Sequence, residues 1–433
     1  MPPKDDCADQ KKLLPCPVTQ ADKTEGAYPI LQDKGNVWYC TNCFYCEDAC
    51  ASNSARQHAI EKRRTKEQNS KEMREPLEQL KKFGTLFPIS KELAAVREEY
   101  GLPQLPAKPV EEVAYLYEQI LRGEEQPPPL PATFSKNLQA SPLQTSIALF
   151  LGCLIPYRVL QYEKSARELL KQLEISFVDL PFVCCGSIMT ESQSELLWLV
   201  SAAHNLAIAE ERGITTILSL CGGCTGNLRR VNQKLLQEPS LLKKVNHYLA
   251  TINKQYTGTV RIFHLSEFLQ NKDLQERLKQ LIEPEQNQQL VQLTVGTQVP
   301  CQVIRPAPTS PNASIGSNLL RNLLSLTAIK SIRYPFETLC CGSSMLIYNK
   351  EIAYAIGKKR IDSLKARSVD ALILGCGNCS MMYTVHQREY NPEPLPTFFF
   401  TEILNFALGG ENDALNLLLQ EKVKTSQKTL TKE

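Results

Sequence analysis

Two short stretches decide the fold, VCCGS at residues 183–187 and LCCGS at residues 339–343. Each lies in the middle of a five-cysteine pattern in which a single cysteine comes first and a Cys-x-x-Cys pair comes last. The intervals between these groups are thirty and thirty-five residues in the first copy, and thirty-eight and thirty-four in the second. The repetition indicates an internal duplication. The first copy comprises Cys153, Cys184, Cys185, Cys221 and Cys224, and the second comprises Cys301, Cys340, Cys341, Cys376 and Cys379.

Short apolar runs alternate with amphipathic stretches around both copies. The runs predict strands at residues 147–151, 175–180, 214–220, 293–299, 329–334 and 369–374, with helices at 157–173, 191–211, 319–326 and 351–365 between them. Strands separated by helices predict an α/β fold with parallel-type sheets. In each copy the three cysteine groups follow three predicted strands, and open α/β sheets bind ligands beyond the carboxyl ends of their strands. We therefore expect five thiols to converge in each half.

Composition narrows the class of protein. The chain has 433 residues, of which 42% are hydrophobic and 22% charged, and its formal net charge is +3. This balance predicts a soluble globular protein and gives no basic face for nucleic acid. No signal-like leader and no apolar run of about 20 residues is found, so we expect a cytoplasmic protein without a transmembrane segment. Sixteen cysteines in that compartment indicate metal binding rather than disulfides.

The composition also changes along the chain and suggests domain boundaries. We predict a disordered tail (1–35), a helical ferredoxin-like domain (36–100), a proline-rich linker with one short helix at 110–121 (101–145), a first cysteine-rich α/β domain (146–285), a second one (290–410) and a C-terminal tail (411–433).

The ferredoxin-like domain is predicted from the run Cys40-x-x-Cys43-x-x-Cys46-x-x-x-Cys50. This is the spacing with which bacterial ferredoxins bind cubane 4Fe–4S clusters. A zinc site is the alternative, but zinc sites usually separate their two cysteine pairs by about ten or more residues. For the fourth ligand we prefer Cys50; Cys16, which precedes a proline, and Cys7 are the alternatives.

The repeated sets call for a larger metal group. Five thiolates are too many for one tetrahedral ion, whereas adjacent cysteines can reach two different irons of one cluster. A disulfide-stabilised protein is the competing interpretation, and the compartment, the strict repeat and the large core all disfavour it. His264 could donate a proton or a hydrogen bond near the first set, although a position at a helix start is the simpler interpretation.

At these residues the chain resembles the B subunit of heterodisulfide reductase. The likeness runs over about residues 146–408 and is carried by IALFLGCLIPYR, the two CCGS segments, LCGGCTGNL and VRIFHLSEFL. Residues 35–100 resemble half of the family's C subunit, so the whole chain is similar to a fused C–B subunit. Two features depart from the family: Gln302 stands where a histidine is typical, and there is one cubane run instead of two.

The resemblance implies a specific cofactor set and partners. Each five-cysteine set would hold a noncubane 4Fe–4S cluster, a disulfide or thiol substrate would lie between the two clusters, and a flavoprotein A-type subunit would supply electrons through the cubane. We take Cys185 and Cys341 as catalytic candidates. The first hypothesis is therefore an oxidoreductase subunit that reduces or forms a disulfide. The rival is an electron-transfer iron–sulfur subunit of a glycolate- or lactate-type hydroxy-acid oxidoreductase, and a zinc-bound scaffold is a third, non-redox possibility.

Overall fold

The computed structural model describes residues 16–21, 36–49, 71–87, 89, 91–130, 145–310 and 313–430. Two α/β units, each built on a four-stranded sheet, follow a set of N-terminal helices. The N-terminal helices are α1 (Pro17–Ala21), α2 (Tyr45–Ala49), α3 (Lys71–Phe83), α4 (Lys91–Glu99) and α5 (Val110–Leu121), and a 3₁₀ turn forms at Val37–Tyr39.

The first α/β unit has the strand order β2-β1-β3-β4, and all neighbouring strands are parallel. Helices separate the strands, as parallel pairing requires. Its strands are β1 (Ile147–Phe150), β2 (Val178–Asp179), β3 (Thr216–Ser219) and β4 (Arg261–His264). Its helices are α6 (Ile155–Arg158), α7 (Leu160–Gln172), α8 (Ser187–Glu191), α9 (Glu195–Glu211), α10 (Gly222–Gln237), α11 (Pro239–Ala250), α12 (Leu265–Phe268), α13 (Lys272–Leu281) and α14 (Pro284–Leu290).

The second unit repeats this arrangement with the order β6-β5-β7-β8, again entirely parallel. The identical order in both units confirms the predicted α/β class and the duplication. The strands are β5 (Thr294–Gln298), β6 (Lys330–Ser331), β7 (Ala371–Leu374) and β8 (Thr397–Phe399). The helices are α15 (Cys301–Ile304), α16 (Asn318–Leu324), α17 (Lys350–Lys365), α18 (Gly377–Ser380), α19 (Gln387–Tyr390), α20 (Phe400–Ala407) and α21 (Asp413–Leu430), with 3₁₀ turns at Ala307–Thr309 and Ser343–Leu346 and a π-turn at Met381–Val385.

Each sheet has one strand more than the sequence predicted. The additional strands are β4 and β8, each at one edge of its sheet, and they overlap the start of the repeated segments FHLSEFL and FFFTEIL. They escaped prediction because each has only three or four residues and runs directly into a helix. The other six strands coincide with predicted runs, although β2 and β6 are only two residues long.

The regions expected to be tails and linker contain packed helices. Val18 of α1 is buried, as are Val113, Leu116 and Tyr117 on one face of α5. In α21, Leu415 and Leu419 are buried too. Helix α5 is the short helix predicted within the linker, whereas α1 and α21 were not predicted; even a short helix packs when one face is apolar. Within the described ranges, no helix is both long and apolar enough to cross a membrane.

The two units pack through α7 of the first and α20 of the second. Asn405 Nδ2 donates to the Ser165 carbonyl at 2.7 Å, and the hydroxyls of Ser165 and Thr401 lie 2.6 Å apart. Next to them, the rings of Tyr162 and Phe399 stack with centroids 3.9 Å apart. This contact fixes how the carboxyl ends of the two sheets face each other.

Candidate iron–sulfur sites

The ten repeated cysteines follow the first three strands of each unit. In the first unit, Cys153 lies three residues past β1, the adjacent pair lies past β2, and Cys221 lies at the N-terminus of α10 just past β3. The second unit repeats this placement, with Cys301 past β5 and Cys376 past β7 at the start of α18. Because all of these strands are parallel, the cysteines of a unit gather at one edge of its sheet. The convergence expected from the sequence is found.

The thiols of the first set lie in contact with one another. Cys153 contacts Cys184, Cys184 contacts Cys185, Cys185 contacts Cys224, and Cys224 contacts Cys221. All five side chains are buried. Hydrogen bonds from the Cys184 and Cys224 thiols lower the pKa of Cys185 to about 6. The predicted catalytic candidate of this half is thus one of two sulfurs that neighbouring thiols stabilise as thiolates, the other being Cys221.

The second set repeats the same sequence of contacts. It runs from Cys301 to Cys340, Cys341, Cys379 and Cys376. Cys301 is half-buried and the other four are buried. Hydrogen bonds from Cys340 and Cys379 hold the pKa of the Cys341 thiol well below its usual range. Cys341 therefore occupies the position in its set that Cys185 occupies in the first.

The two sets touch, which the sequence did not predict. The Cys221 thiol contacts the Cys376 thiol. The Gly222 N–H donates to Cys376 Sγ at 3.2 Å, and Asn378 Nδ2 donates to Cys221 Sγ at 3.8 Å. A β-carbon on Gly222 would lie 2.9 Å from Cβ of Pro300, so only glycine permits this approach. Ten thiols consequently form one continuous string across the junction between the units.

The N-terminal run lies beside Cys301, at the end of the second set away from the first set. Burial, followed by the nearby thiols of Cys301 and Cys16, raises the pKa of Cys43 to about 12. The run is tightly wound, because Asn42 and Phe44 both have positive φ (57° and 58°). Its backbone points toward sulfur: the Asn42 N–H donates to Cys40 Sγ at 3.3 Å. Cys46 is half-buried in α2, whereas Cys50 and Cys7 lie outside the described residues.

Side chains of the second unit hold this run in place. Gln302 Nε2 donates to the Asn42 carbonyl at 2.9 Å, and Ser344 Oγ donates to the Thr41 carbonyl at 3.0 Å. Asp48 forms an ion pair with Arg305 at 3.5 Å. Gln302, which the sequence singled out as a departure from a typical histidine, thus contacts the N-terminal run.

The sequence did not reveal a cation that lies beside Cys153, at the end of the first set away from the second set. Lys108, from the expected linker, is half-buried and lies beside the Cys153 and Cys184 thiols, with its ammonium donating to the Phe182 carbonyl. Burial lowers its pKa to about 8. The same segment borders a cavity of about 600 Å³ that Tyr157 also lines. No local pattern marks this lysine, because its partners are more than forty residues away in the chain.

His264 follows its simpler interpretation. It caps α12, with Nδ1 accepting from the Ser266 N–H at 3.2 Å, while Glu267 accepts from the His264 N–H at 3.0 Å. Burial lowers the pKa of His264. It lies near Cys376, at the junction of the two sets rather than within the first.

The donor set fits iron–sulfur groups. Thiolates are the usual ligands of such clusters, and backbone N–H groups directed at sulfur are a common surrounding feature. Gly342 N–H, for example, donates to Cys340 Sγ at 3.4 Å. Among the described residues, no three Cys, His, Asp or Glu side chains are grouped so as to hold a single metal ion. The five thiols of each half are instead arranged as a row.

Known proteins share these features. A family model described as "Cysteine-rich domain" (CCG) matches residues 147–229 and 295–384. One relative is named as the B subunit of the ferredoxin/F420H2-dependent CoB-CoM heterodisulfide reductase of Methanosarcina acetivorans. It is 27% identical over 63% of this chain and 92% of that protein. The 8-methylmenaquinol:fumarate reductase membrane anchor subunit of Wolinella succinogenes is 24% identical over 62% of this chain and 93% of its own length.

A further sequence relative and a solved structure are also similar to this chain. The B subunit of the CoM/CoB fumarate reductase of Methanothermobacter marburgensis is 24% identical over 54% of this chain but only 41% of that protein. A crystal structure of a hypothetical Helicobacter pylori protein shares the fold, with a TM-score of 0.56 and 15% identity over 90% of this chain, and under two thirds (65%) of that chain is covered. The chain therefore carries two copies of the cysteine-rich CCG domain and is a homologue of proteins named as B subunits of heterodisulfide reductases.

Proposed function

We propose that the chain is the iron–sulfur subunit of a heterodisulfide-reductase-like complex. In this proposal an N-terminal cubane 4Fe–4S cluster and two noncubane 4Fe–4S clusters connect an electron-donating partner to a disulfide or thiol substrate. The observation that carries the proposal is the continuous row of ten thiols, which the Cys221–Cys376 contact joins into one path. The homologues named as components of heterodisulfide reductases support it.

The ligands divide among three sites. Cys40, Cys43 and Cys46 would hold the cubane together with a fourth thiolate. The first noncubane cluster would be held by Cys153, Cys184, Cys185, Cys221 and Cys224, and the second by Cys301, Cys340, Cys341, Cys376 and Cys379. When bound, such groups exchange single electrons with one another and with a sulfur substrate.

The protein's own contacts order these sites. Cys43 lies beside Cys301, so the N-terminal run adjoins the second set. The first set is reached through Cys376 and Cys221. Burial of nearly every thiol keeps water away from this path. The order predicts that an electron donor docks near the N-terminal run, and a flavoprotein A-type subunit is the partner we propose.

The net reaction of a substrate held between the two clusters would be R–S–S–R′ + 2 e⁻ + 2 H⁺ → RSH + R′SH, or its reverse. Cys185 and Cys341 are our candidates for the catalytic positions, since each accepts hydrogen bonds from two neighbouring thiols. These bonds hold both sulfurs in the thiolate form that binds metal. We place the protein in the cytoplasm.

The test is disulfide reduction by the anaerobically assembled complex. We expect Cys185→Ser and Cys341→Ser to reduce turnover to background, while the volume-conserving change Met345→Leu in the CCGSSM segment leaves it intact. Turnover that survives both serine variants would contradict the proposed mechanism.

A second candidate keeps the electron path but changes the substrate. Two relatives are named as subunits of fumarate reductases, so a chain of this type could serve a flavoenzyme that oxidises or reduces small organic acids, including the hydroxy-acid oxidoreductases. The flavoprotein that copurifies from the native host separates the candidates. In a direct test, the complex is reduced with dithionite and then mixed with possible oxidants. Reoxidation by an organic acid, such as the oxidised form of a hydroxy acid, but by no disulfide would favour this second candidate.

A further inference from the structure

The fourth ligand of the N-terminal run can be inferred from the position of Cys16. This inference rests on the proposed function, because it concerns a residue that would hold the cubane cluster. The sequence left Cys50, Cys16 and Cys7 as candidates and favoured Cys50 from its spacing alone. Of these three, only Cys16 is among the described residues.

Cys16 lies with the other cysteines of the run. Its side chain is 9% exposed. Its thiol and that of Cys301 are the two that act on Cys43. Cys16 is therefore placed at the run itself, although twenty-three residues separate it from Cys40 in the sequence.

Specific contacts hold Cys16 at this position. Its carbonyl accepts the Gln20 N–H at 3.0 Å, which begins helix α1. Val18 of this helix is 1% exposed, and α1 packs on α17 of the second unit. The Lys359 ammonium, on α17, donates to the Gln20 carbonyl. The thiol is thus fixed by the same unit that anchors Asn42 through Gln302.

Buried polar atoms at the run lack partners. Asn42, between Cys40 and Cys43, is 2% exposed, and neither Oδ1 nor Nδ2 has a hydrogen bond. Oε1 of Gln302, whose amide holds the Asn42 carbonyl, is unpaired as well. An unsatisfied buried polar group destabilises the fold. Cluster sulfurs accept hydrogen bonds, so a group bound among these cysteines would give Asn42 Nδ2 its missing partner.

The chemistry of ferredoxin runs points to the same cysteine. In two-cluster ferredoxins the fourth cysteine of a run precedes proline and binds the cluster of the other run. Pro17 follows Cys16, whereas Ala51 follows Cys50. A cysteine–proline pair at a distance from the run is thus the arrangement expected of a fourth ligand. We infer that Cys16, and not Cys50, supplies the fourth thiolate of the N-terminal iron–sulfur site.

The experiment compares Cys16→Ser with Cys50→Ser in the full chain after anaerobic reconstitution with iron and sulfide. We expect Cys16→Ser to lose the EPR signal of the cubane and about four of about twelve irons, and Cys50→Ser to keep both. Retention of all iron in Cys16→Ser, or loss of the cubane in Cys50→Ser, would overturn the assignment. The irons of the two repeated sets, retained in both variants, report that the chain is folded.

A second measurement uses the wild-type protein and so does not depend on how a variant folds. Alkylation followed by mass spectrometry is compared before and after a chelator removes the iron. We expect Cys16 to be labelled only after iron removal and Cys50 to be labelled equally in both states; the opposite pattern would overturn the inference. If the wild-type chain binds no iron, the proposed function is wrong as well. If the wild-type chain binds all its iron and Cys16→Ser retains it, only the assignment of Cys16 is wrong.

Discussion

At the scale of single residues, a cation lies near each end of the thiol string. Arg305 lies near Cys43, at the end where the N-terminal run meets the second set. At the other end, Lys108 lies beside Cys153 and Cys184 and borders an open cavity. A cation near a redox group stabilises the form that carries the extra electron, because the attraction is strong where little water screens it. Lys108 is therefore placed to raise the reduction potential of the first set.

We predict that Lys108→Met shifts the reduction potential of the first repeated site to a more negative value. The iron content should not change, because Lys108 is not a ligand. Potentiometric titration followed by EPR measures the shift. Lys82→Met is the matched control, since Lys82 lines the same cavity but is exposed. An unchanged potential in Lys108→Met, or an equal shift in Lys82→Met, would refute this role.

The position of Lys108 beside the cysteines could not be predicted from the sequence. The segment that contains Lys108 is rich in proline, which suits a linker. Lys108 comes into contact with Phe182 only in the folded chain. The cysteines could be assigned because their spacing is itself a chemical signature. Gln302 stood out for its identity alone, and its contact with Asn42 depends on how two distant segments pack.

At the scale of elements, a buried ion pair joins helix α4 to the first α/β unit. Arg97 NH1 lies 2.7 Å from Glu163 Oε2, on α7, and NH2 lies 2.9 Å from Oε1. Both residues are buried, and the guanidinium also donates to the carbonyls of Pro103 and Pro156. Glu163 also accepts from Arg167 Nε at 2.9 Å, so it is the removal of Glu163, rather than of Arg97, that leaves a charge buried without compensation.

We predict that Glu163→Met lowers the free energy of unfolding by about 3–5 kcal/mol, because it leaves the buried Arg97 guanidinium without its carboxylate. The double variant Arg97→Met/Glu163→Met should recover much of this loss, since it removes both charges. Arg122→Met, in the exposed pair with Glu118, should change stability by about 1 kcal/mol or less. Urea denaturation under anaerobic conditions, followed by circular dichroism, measures these differences. Equal effects for Glu163→Met and Arg122→Met would show that α4 is not held by this pair.

Most elements could be predicted from local patterns. The apolar runs that form β1, β3, β5 and β7 are buried along nearly their whole length, so their composition revealed them. Strands β4 and β8 were missed, although they overlap the start of the segments that end both copies. In a strand of three or four residues that leads directly into a helix, apolar and polar residues alternate over too short a stretch for the strand to be predicted.

At the scale of the whole molecule, duplication explains the arrangement of the site. Two sheets of the same strand order present equivalent cysteines at equivalent edges. The packing of α7 against α20, with the Tyr162–Phe399 stack beside it, turns these edges toward each other. The sequence predicted each five-cysteine set, but not the Cys221–Cys376 contact. Contact between two units depends on the shapes of both surfaces, and no local pattern encodes it.

The metal content of the full chain tests the central claim most directly. After anaerobic reconstitution, iron and acid-labile sulfide are counted and EPR spectra are recorded on the reduced protein. Three clusters of four irons predict about twelve irons and a similar amount of sulfide per chain, with magnetic interaction between the sites that the Cys221–Cys376 and Cys43–Cys301 contacts bring together. About four irons, or zinc in place of iron, would contradict the assignment of the ten repeated cysteines to iron–sulfur clusters.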